Sequence, residues 1–286
     1  MSVQQLSFFH EATSTVTYLI WDVASGQAAV IDPVLDYEPK GAKVSREQMS
    51  EVLRALETRG LTLTYILETH AHADHLSAAA HLRQVTGAQV VIGAHITEVQ
   101  GYFAKVFGAD DVRPDGAVFD QLVREGDTLM LGETEIRVLH TPGHTPACVT
   151  YLIEDAAYVG DTLFMPDYGT ARADFPGGDA AILYRSIQKI LALPPETRIF
   201  VGHDYLSESR KTHAWETTVA AQRAENIHLR GGVSEADFVA RREARDATLA
   251  PPNLILPSLQ VNIRAGEMPP PDRDGRVYLR LPVTEV

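Results

Sequence analysis

Four short segments carrying metal-type ligands, each set at the end of an apolar run, constrain this chain more than any other feature. The run LTYILET leads into His70-Ala71-His72-Ala73-Asp74-His75. Further on, His144 stands in the turn Thr141-Pro142-Gly143-His144-Thr145. Asp161 closes the run AAYVGD, and His203 follows RIFVG. A loop leaving a strand end can turn alternate side chains onto one point. Imidazole and carboxylate are the ligands that zinc, iron or manganese takes. Gly143, Gly160 and Gly202 precede three of these ligands and allow close backbone approach or unusual φ. A solvated loop that happens to hold three histidines would explain the first segment alone, but not four such segments in order. The fold must therefore bring four strand ends to one edge.

The rest of the chain reads as elements able to do that. TVTYLIWD and AAVIDP, separated by Ser25-Gly26-Gln27, read as a β-hairpin with Gly26 in its turn. A helix follows, with Ser45 as its cap and Gln48 three residues on as a capping box. Met49, Val52, Leu53 and Leu56 lie at helical spacing before Gly60 stops it. LSAAAHLRQVTG reads as a helix ending at Gly87, and AQVVIGAH as a strand. Residues 127–160 read as strands throughout. A helix over 179–192 follows, capped by Asp179, with Ile182, Leu183, Ser186, Ile187, Ile190 and Leu191 on one face, and RIFVGHD is the last strand of the block. Strands then helices, twice over, suit an α/β sandwich of two mixed sheets with helices outside. We place a catalytic domain at residues 1–210. Residues 211–286 are expected as a docked C-terminal segment: helices over 213–229 and 234–249, then a Pro-rich, mostly extended tail.

Composition narrows the function classes. Of 286 residues 45% are hydrophobic, enough for a packed core, and the net charge of -13 leaves no electrostatic footprint for nucleic acid or anionic lipid. The one cysteine, Cys148, excludes an intrachain disulfide framework and a thiolate cluster. We read no signal peptide and no membrane span, which makes a cytoplasmic enzyme the expectation.

HxHxDH, then TPGHT, GDT and GHD, in this order, resemble the signature of the metallo-β-lactamase superfamily over roughly residues 10–210. The resemblance implies an αβ/βα sandwich with its metal at one edge. Within the superfamily, Thr141–Tyr151, with Cys148 after the histidine turn, resembles the persulfide dioxygenase (sulfur dioxygenase) family. So do Gly169–Phe175, similar to the family's Gly-Arg-x-Asp-Phe segment, and Gly202-His203-Asp204-Tyr205. Ala147 and Ala171 depart from glycines common there.

The resemblance implies one iron(II) per chain, held by His70, His144 and Asp161, which would also be the catalytic centre. His72, Asp74, His75 and His203 would then orient those ligands or complete a second metal site. The implied reaction, a step of sulfide oxidation, turns glutathione persulfide and O2 into sulfite and glutathione. Arg172 is the expected contact for a glutathione carboxylate, the alternative being a pair with Asp174 or Asp167. Tyr205 is expected to donate its hydroxyl, the alternative being a packed aromatic. Arg210 and Lys211 read as a solvated helix start. His140 reads as a brace for the His144 turn, and His10, His81, His95, His213 and His228 as surface or supporting residues. Cys148 reads as a buried, inert thiol. The same seven ligands would equally serve a glyoxalase II-like dinuclear zinc thioester hydrolase, or another β-lactamase-like hydrolase with two zinc ions. A homo-oligomer and a functional link to a sulfurtransferase fit the resemblance, and the sequence specifies neither.

Overall fold

The structure, a computed structural model, describes residues 2–283. The first half runs β1 (Val3–His10), β2 (Thr15–Asp22), β3 (Gln27–Ile31), β4 (Val34–Glu38), β5 (Lys43–Ser45), α1 (Glu47–Arg59), β6 (Thr62–Leu67), β7 (Leu76–Ser77), α2 (Ala79–Thr86), β8 (Gln89–Gly93), α3 (Ile96–Phe107) and β9 (Gln121–Val123). The second half runs β10 (Thr128–Leu131), β11 (Thr134–His140), β12 (Val149–Ile153), β13 (Ala156–Tyr158), α4 (Ala180–Leu191), β14 (Arg198–Phe200), β15 (Glu216–Thr218), α5 (Val219–Glu225), α6 (Glu235–Asp246) and α7 (Ile255–Asn262). Two six-stranded sheets result, ordered β1-β2-β3-β6-β8-β9 and β10-β11-β12-β13-β14-β15. Both are mixed: β3, β6, β8 and β9 run parallel, as do β13 and β14.

Alternation along the strands explains the layering. In β2, Val16, Tyr18 and Ile20 face the space between the sheets, where they meet Val138, Tyr151, Ile153 and Phe200. Leu19 and Trp21 face the other way, toward Met49 and Val52 of α1 and Leu82 of α2. The second sheet's outer face packs on Leu183, Ile187 and Ile190 of α4 and Phe238 of α6. The order of layers is thus helix, sheet, sheet, helix, the αβ/βα sandwich expected.

Several local expectations are corrected. Ser45 does not cap α1; it lies in β5, paired with Asp36, and Arg46 takes the cap position without a side-chain bond. The Asp36 carboxylate instead accepts from the Gln48 amide (3.4 Å), so a neighbouring strand satisfies the helix start. Leu76 and Ser77 form a strand rather than the start of α2. Residues 216–218 are strand, not helix, because the free edge of β14 pairs with them. Ile182 is exposed, while Leu183, Ile187, Ile190 and Leu191 of its helix are buried. The tail holds a helix, α7, despite its proline content: Pro257 falls in the first turn, where no intrahelical N–H is required. Strand β1 and helix α3 were not anticipated at all. Gly60, Gly87 and the Asp179 cap stand where the sequence puts them.

The C-terminal segment docks on the core through several contacts, two of which involve its helices α6 and α7. Helix α6 lies on α4, with Phe238 against Tyr184 and Glu235 paired to Arg185. Helix α7 inserts Asn262 beneath the His72–His75 loop, where its amide donates to the carbonyls of His72 and His75 (2.8 Å each).

Candidate metal centre

The ends of β6, β11, β13 and β14 meet at one edge of the sandwich, stitched by backbone hydrogen bonds. Val149 donates to Thr69, Gly202 to Gly160 and Val16 to Gly202. Close packing dictates two of the glycines. A Cβ on Gly143, whose φ is +130°, would lie 2.3 Å from the Leu183 backbone, and one on Gly202 would lie 2.9 Å from Asp161 Oδ1. The ligand loops therefore sit directly on α4 and on one another.

All seven sequence-predicted ligands come together in two groups, each with atoms within 4.8 Å of one another: His70, His144 and Asp161, and His72, Asp74, His75 and His203. Asp161 Oδ2 lies 3.8 Å from His70 Nε2 and 3.7 Å from His144 Nε2. Its Oδ1 lies 3.3 Å from His203 Nε2, which is 3.2 Å from Asp74 Oδ2. Asp161 thus stands between the groups.

Except for His72 Nε2, the ring nitrogens facing away from the cluster are engaged, and this fixes which nitrogens face it bare. His144 Nδ1–H donates to the Arg172 carbonyl (2.8 Å), and His75 Nδ1–H to that of Leu76 (3.2 Å). His70 Nδ1 meets Thr69 Oγ1 (3.0 Å), which spends its own proton on Asp32 Oδ2 (2.8 Å). The His70 ring proton is therefore on Nδ1 and its Nε2 is bare. His72 Nε2 lies 3.1 Å from Asp32 Oδ1, bent off the hydrogen-bond direction, yet the carboxylate still favours the tautomer with its proton on that side. His203 Nδ1 meets Thr15 Oγ1.

Among the seven ligands, the buried atoms without hydrogen-bond partners are His70 Nε2, His72 Nδ1, His75 Nε2, His203 Nε2, Asp74 Oδ2 and Asp161 Oδ1, besides His72 Nε2 on the Asp32 side. Folded proteins pair nearly all buried polar atoms. Six orphans aimed at one place are what a metal-binding cluster requires. Burial, reinforced by neighbouring histidines, holds His70 and His72 well below the usual imidazole range, in the neutral form that ligates metal. Burial raises the Asp161 carboxyl, against the pull of His203 and His144. For Asp74 the attraction of His203, His75 and His72 outweighs burial and lowers it. Burial lowers His203, but Asp161 and Asp74 more than offset it.

Sequence reasoning missed the supports. Asp32, buried at φ +49°, accepts from the Thr69 amide and hydroxyl and touches His72. Its signal was a carboxylate ending the apolar run AAVI. Glu68 is buried beside His72 and bonded by Ser77, its carboxyl raised well above the usual range by burial and by Asp32.

Above the cluster opens a cavity of about 470 Å³. His144, Asp161 and Asp74 lie at its floor, Phe164, Tyr168 and Tyr205 along one wall, and Leu249–Leu254 with Arg242 and Arg245 along another. The C-terminal segment thus builds part of the cavity. Arg172 reaches the wall with its guanidinium already engaged: Nε and Nη2 bond Asp174 (2.5 and 2.7 Å), and Nη1 bonds the Ala250 carbonyl (2.7 Å). Pairing with Asp174, the alternative weighed for this residue, is the arrangement found. Tyr205 stacks on His203 (5.4 Å between centroids, 11°) while facing the cavity. Arg210 does not start a helix; it bridges Asp204 and Asp167. His140 bonds the Pro146 carbonyl and stacks on His95, away from the ligands. Of the histidines read as surface or supporting residues, His228 lines the cavity. Cys148 is buried, with its thiol pushed up to about 12 by burial. Among the described residues no helix is long and apolar enough to cross a membrane.

The sequence profile of the metallo-beta-lactamase superfamily matches residues 11–203. A probable metallo-hydrolase of Burkholderia pseudomallei is 50% identical over 98% of both chains. Glyoxylase B2 of Dictyostelium discoideum is 41% identical over 95% of this chain and 94% of its own. The mitochondrial persulfide dioxygenase ETHE1 of Mus musculus is 32% identical over 92% of this chain and 89% of its own. Among solved structures, ETHE1 from Myxococcus xanthus superposes with a TM-score of 0.74 at 33% identity, covering 92% of this chain and 100% of that one.

Proposed function

The chain belongs to the metallo-beta-lactamase superfamily, and from that premise we propose that it is a persulfide dioxygenase using one iron(II) held by His70, His144 and Asp161. The reaction proposed is glutathione persulfide + O2 + H2O giving glutathione, sulfite and two protons. The outer sulfur gives up four electrons to O2, and water supplies the third oxygen. The observation that carries this reading is the convergence of two imidazoles and one carboxylate beneath an open cavity, the donor set of non-haem iron oxygenases. The likeness to the mouse enzyme and to the Myxococcus xanthus structure supports it.

Iron(II) bound there would supply open coordination positions for the persulfide sulfur and for O2, and a route for electrons between them. The rest is the work of the protein. Asp32, through Thr69, and the Arg172 carbonyl hold His70 and His144 with bare nitrogens aimed at one point. Phe164 and Leu254 give the cavity wall an apolar part, and Tyr205 offers a hydroxyl to the substrate. Cys148, protonated and bonded by Thr145, stays out of the chemistry.

One observation favours a second reading. His72, Asp74, His75 and His203 are as well grouped as the first three, and all seven would serve a dinuclear zinc thioester hydrolase, in line with the glyoxylase relative. Metal analysis of protein grown with iron, paired with oxygen uptake on glutathione persulfide, separates the two. About one iron per chain with persulfide-dependent oxygen consumption is the expected result. Two zinc ions per chain, no oxygen uptake and hydrolysis of S-lactoylglutathione would replace the dioxygenase with the hydrolase.

A further inference from the structure

Three arginines line the cavity, and two are committed. Arg172 is held by Asp174 and Ala250. Arg242 spends Nε and Nη2 on Asp246 and Nη1 on the Thr170 carbonyl. Arg245, one turn further along α6, has no carboxylate within 4.0 Å among the described residues and is exposed. Beside it stands His228. Its Nδ1 accepts from the Thr170 amide (3.1 Å), so the ring proton of the neutral form is on Nε2. Burial, with Arg242 and Arg245 nearby, lowers its pKa to about 4, so the ring is neutral at working pH. Arg245 and His228 both line the cavity and a neighbouring surface hollow, which places them at the rim between the two. Glu208, across that hollow, is beyond ion-pair distance of Arg245, and Asp167 is taken by Arg210.

A free guanidinium beside a neutral N–H donor is a carboxylate receptor. On a chain of net charge -13, an anionic substrate needs such a local contact. We propose that Arg245 and His228 form the subsite for a carboxylate of the thiol carrier. The C-terminal segment would thus select peptide or amino-acid thiols with a free carboxylate, the sulfur end lying toward the metal floor. This assignment rests on the proposed use of a thiol-borne substrate, not on which reaction follows.

The test uses the metal-loaded full chain and two substrates alike at the reacting end: glutathione persulfide, and the persulfide of glutathione diethyl ester. For the unaltered protein the acid is expected to be the better substrate through KM. In Arg245→Gln the ratio of kcat/KM for acid over ester falls about tenfold, the worth of one charge-assisted hydrogen bond. Arg245→Lys restores part of it. An unchanged ratio in Arg245→Gln overturns the subsite. If the protein consumes no oxygen with either persulfide, the dioxygenase reading has failed. The same acid-to-ester ratio is then measured with S-lactoylglutathione hydrolysis, and calorimetric titration with glutathione reads the subsite without any turnover. Glutathione binding weakened about tenfold in Arg245→Gln supports the subsite, and equal binding refutes it.

Discussion

Asn262 joins the C-terminal segment to the metal loop, and replacing it with alanine is the most demanding test of how the centre is held. Its amide nitrogen donates to the carbonyls of His72 and His75, and its oxygen accepts from the Ser77 amide, each at 2.8 Å, in a site only 4% exposed. Alanine would strip partners from two buried carbonyls and one buried N–H. An unpaired buried group costs about 1–3 kcal/mol, and carbonyls with a second lone pair sit at the low end. The sum is about 4 kcal/mol if nothing relaxes, and about 3 kcal/mol if a water enters the space left behind. The loop so released begins at His70, one of the proposed metal ligands, so metal affinity falls by roughly 10–100-fold, as for other groups that orient ligands. Asn262→Asp keeps the acceptor for Ser77 but turns a carboxylate on two carbonyls, and is expected to be worse. Urea unfolding of metal-free protein reads the first quantity, and competition with a chelator reads the second. A loss of stability below about 1 kcal/mol with unchanged metal affinity would refute the idea that α7 holds the loop in place.

Other expectations follow from the same geometry. His70→Ala and Asp161→Ala should each lower bound metal to well below one ion per chain by elemental analysis and reduce turnover by at least about a thousandfold. Gly143→Ala should cost several kcal/mol in thermal or urea unfolding, because its Cβ would meet the Leu183 backbone at 2.3 Å and its φ of +130° disfavours any side chain. His228, with a folded pKa of about 4 against about 6.5 unfolded, binds a proton in the unfolded chain before the folded one. Its contribution is therefore present above about pH 6.5 and is lost as pH falls toward 4. The size is on the order of 2 kcal/mol after allowing for its partial solvent contact, and His228→Gln should flatten that part of the stability–pH curve.

The ligands were legible because metal chemistry leaves few residue types to choose from, and because each ligand closes an apolar run that reads as a strand. The hairpin around Gly26 and helix α4 with its Asp179 cap were legible for a similar reason: local sequence decides them. What escaped was decided by tertiary neighbours. Ser45 has the composition of a cap, yet the edge of β4 pairs with it and the Asp36 carboxylate serves the helix. Residues 216–218 follow the free edge of β14, not their own propensity. The prolines around α7 suggested extended chain, but a proline in a first turn is compatible with a helix. The charge of Arg172 points to a substrate contact, but in the folded chain Asp174 and the Ala250 carbonyl take its donors. No local pattern marks Arg245 as the cavity arginine with no carboxylate in ion-pair distance among the described residues.

The division between what the sequence reveals and what it hides matches a division of labour in the molecule. The metal floor is assembled by loops at the ends of strands whose register is fixed by two packed sheets, so its donors are positioned by the packed core. The outer wall of the cavity comes from α6 and residues 249–254, joined to the floor through Arg172 bound to Ala250 and Arg242 bound to Thr170. Arg172 therefore acts at both levels. Its carbonyl fixes the His144 tautomer, while its guanidinium clamps the outer wall. Arg172→Ala removes the clamp but keeps the backbone carbonyl. It should loosen substrate binding, seen as a raised KM, with metal content unchanged. A substitution that emptied the metal site as well would mean that wall and floor are one unit, and that selection of the substrate and binding of the metal cannot be altered separately.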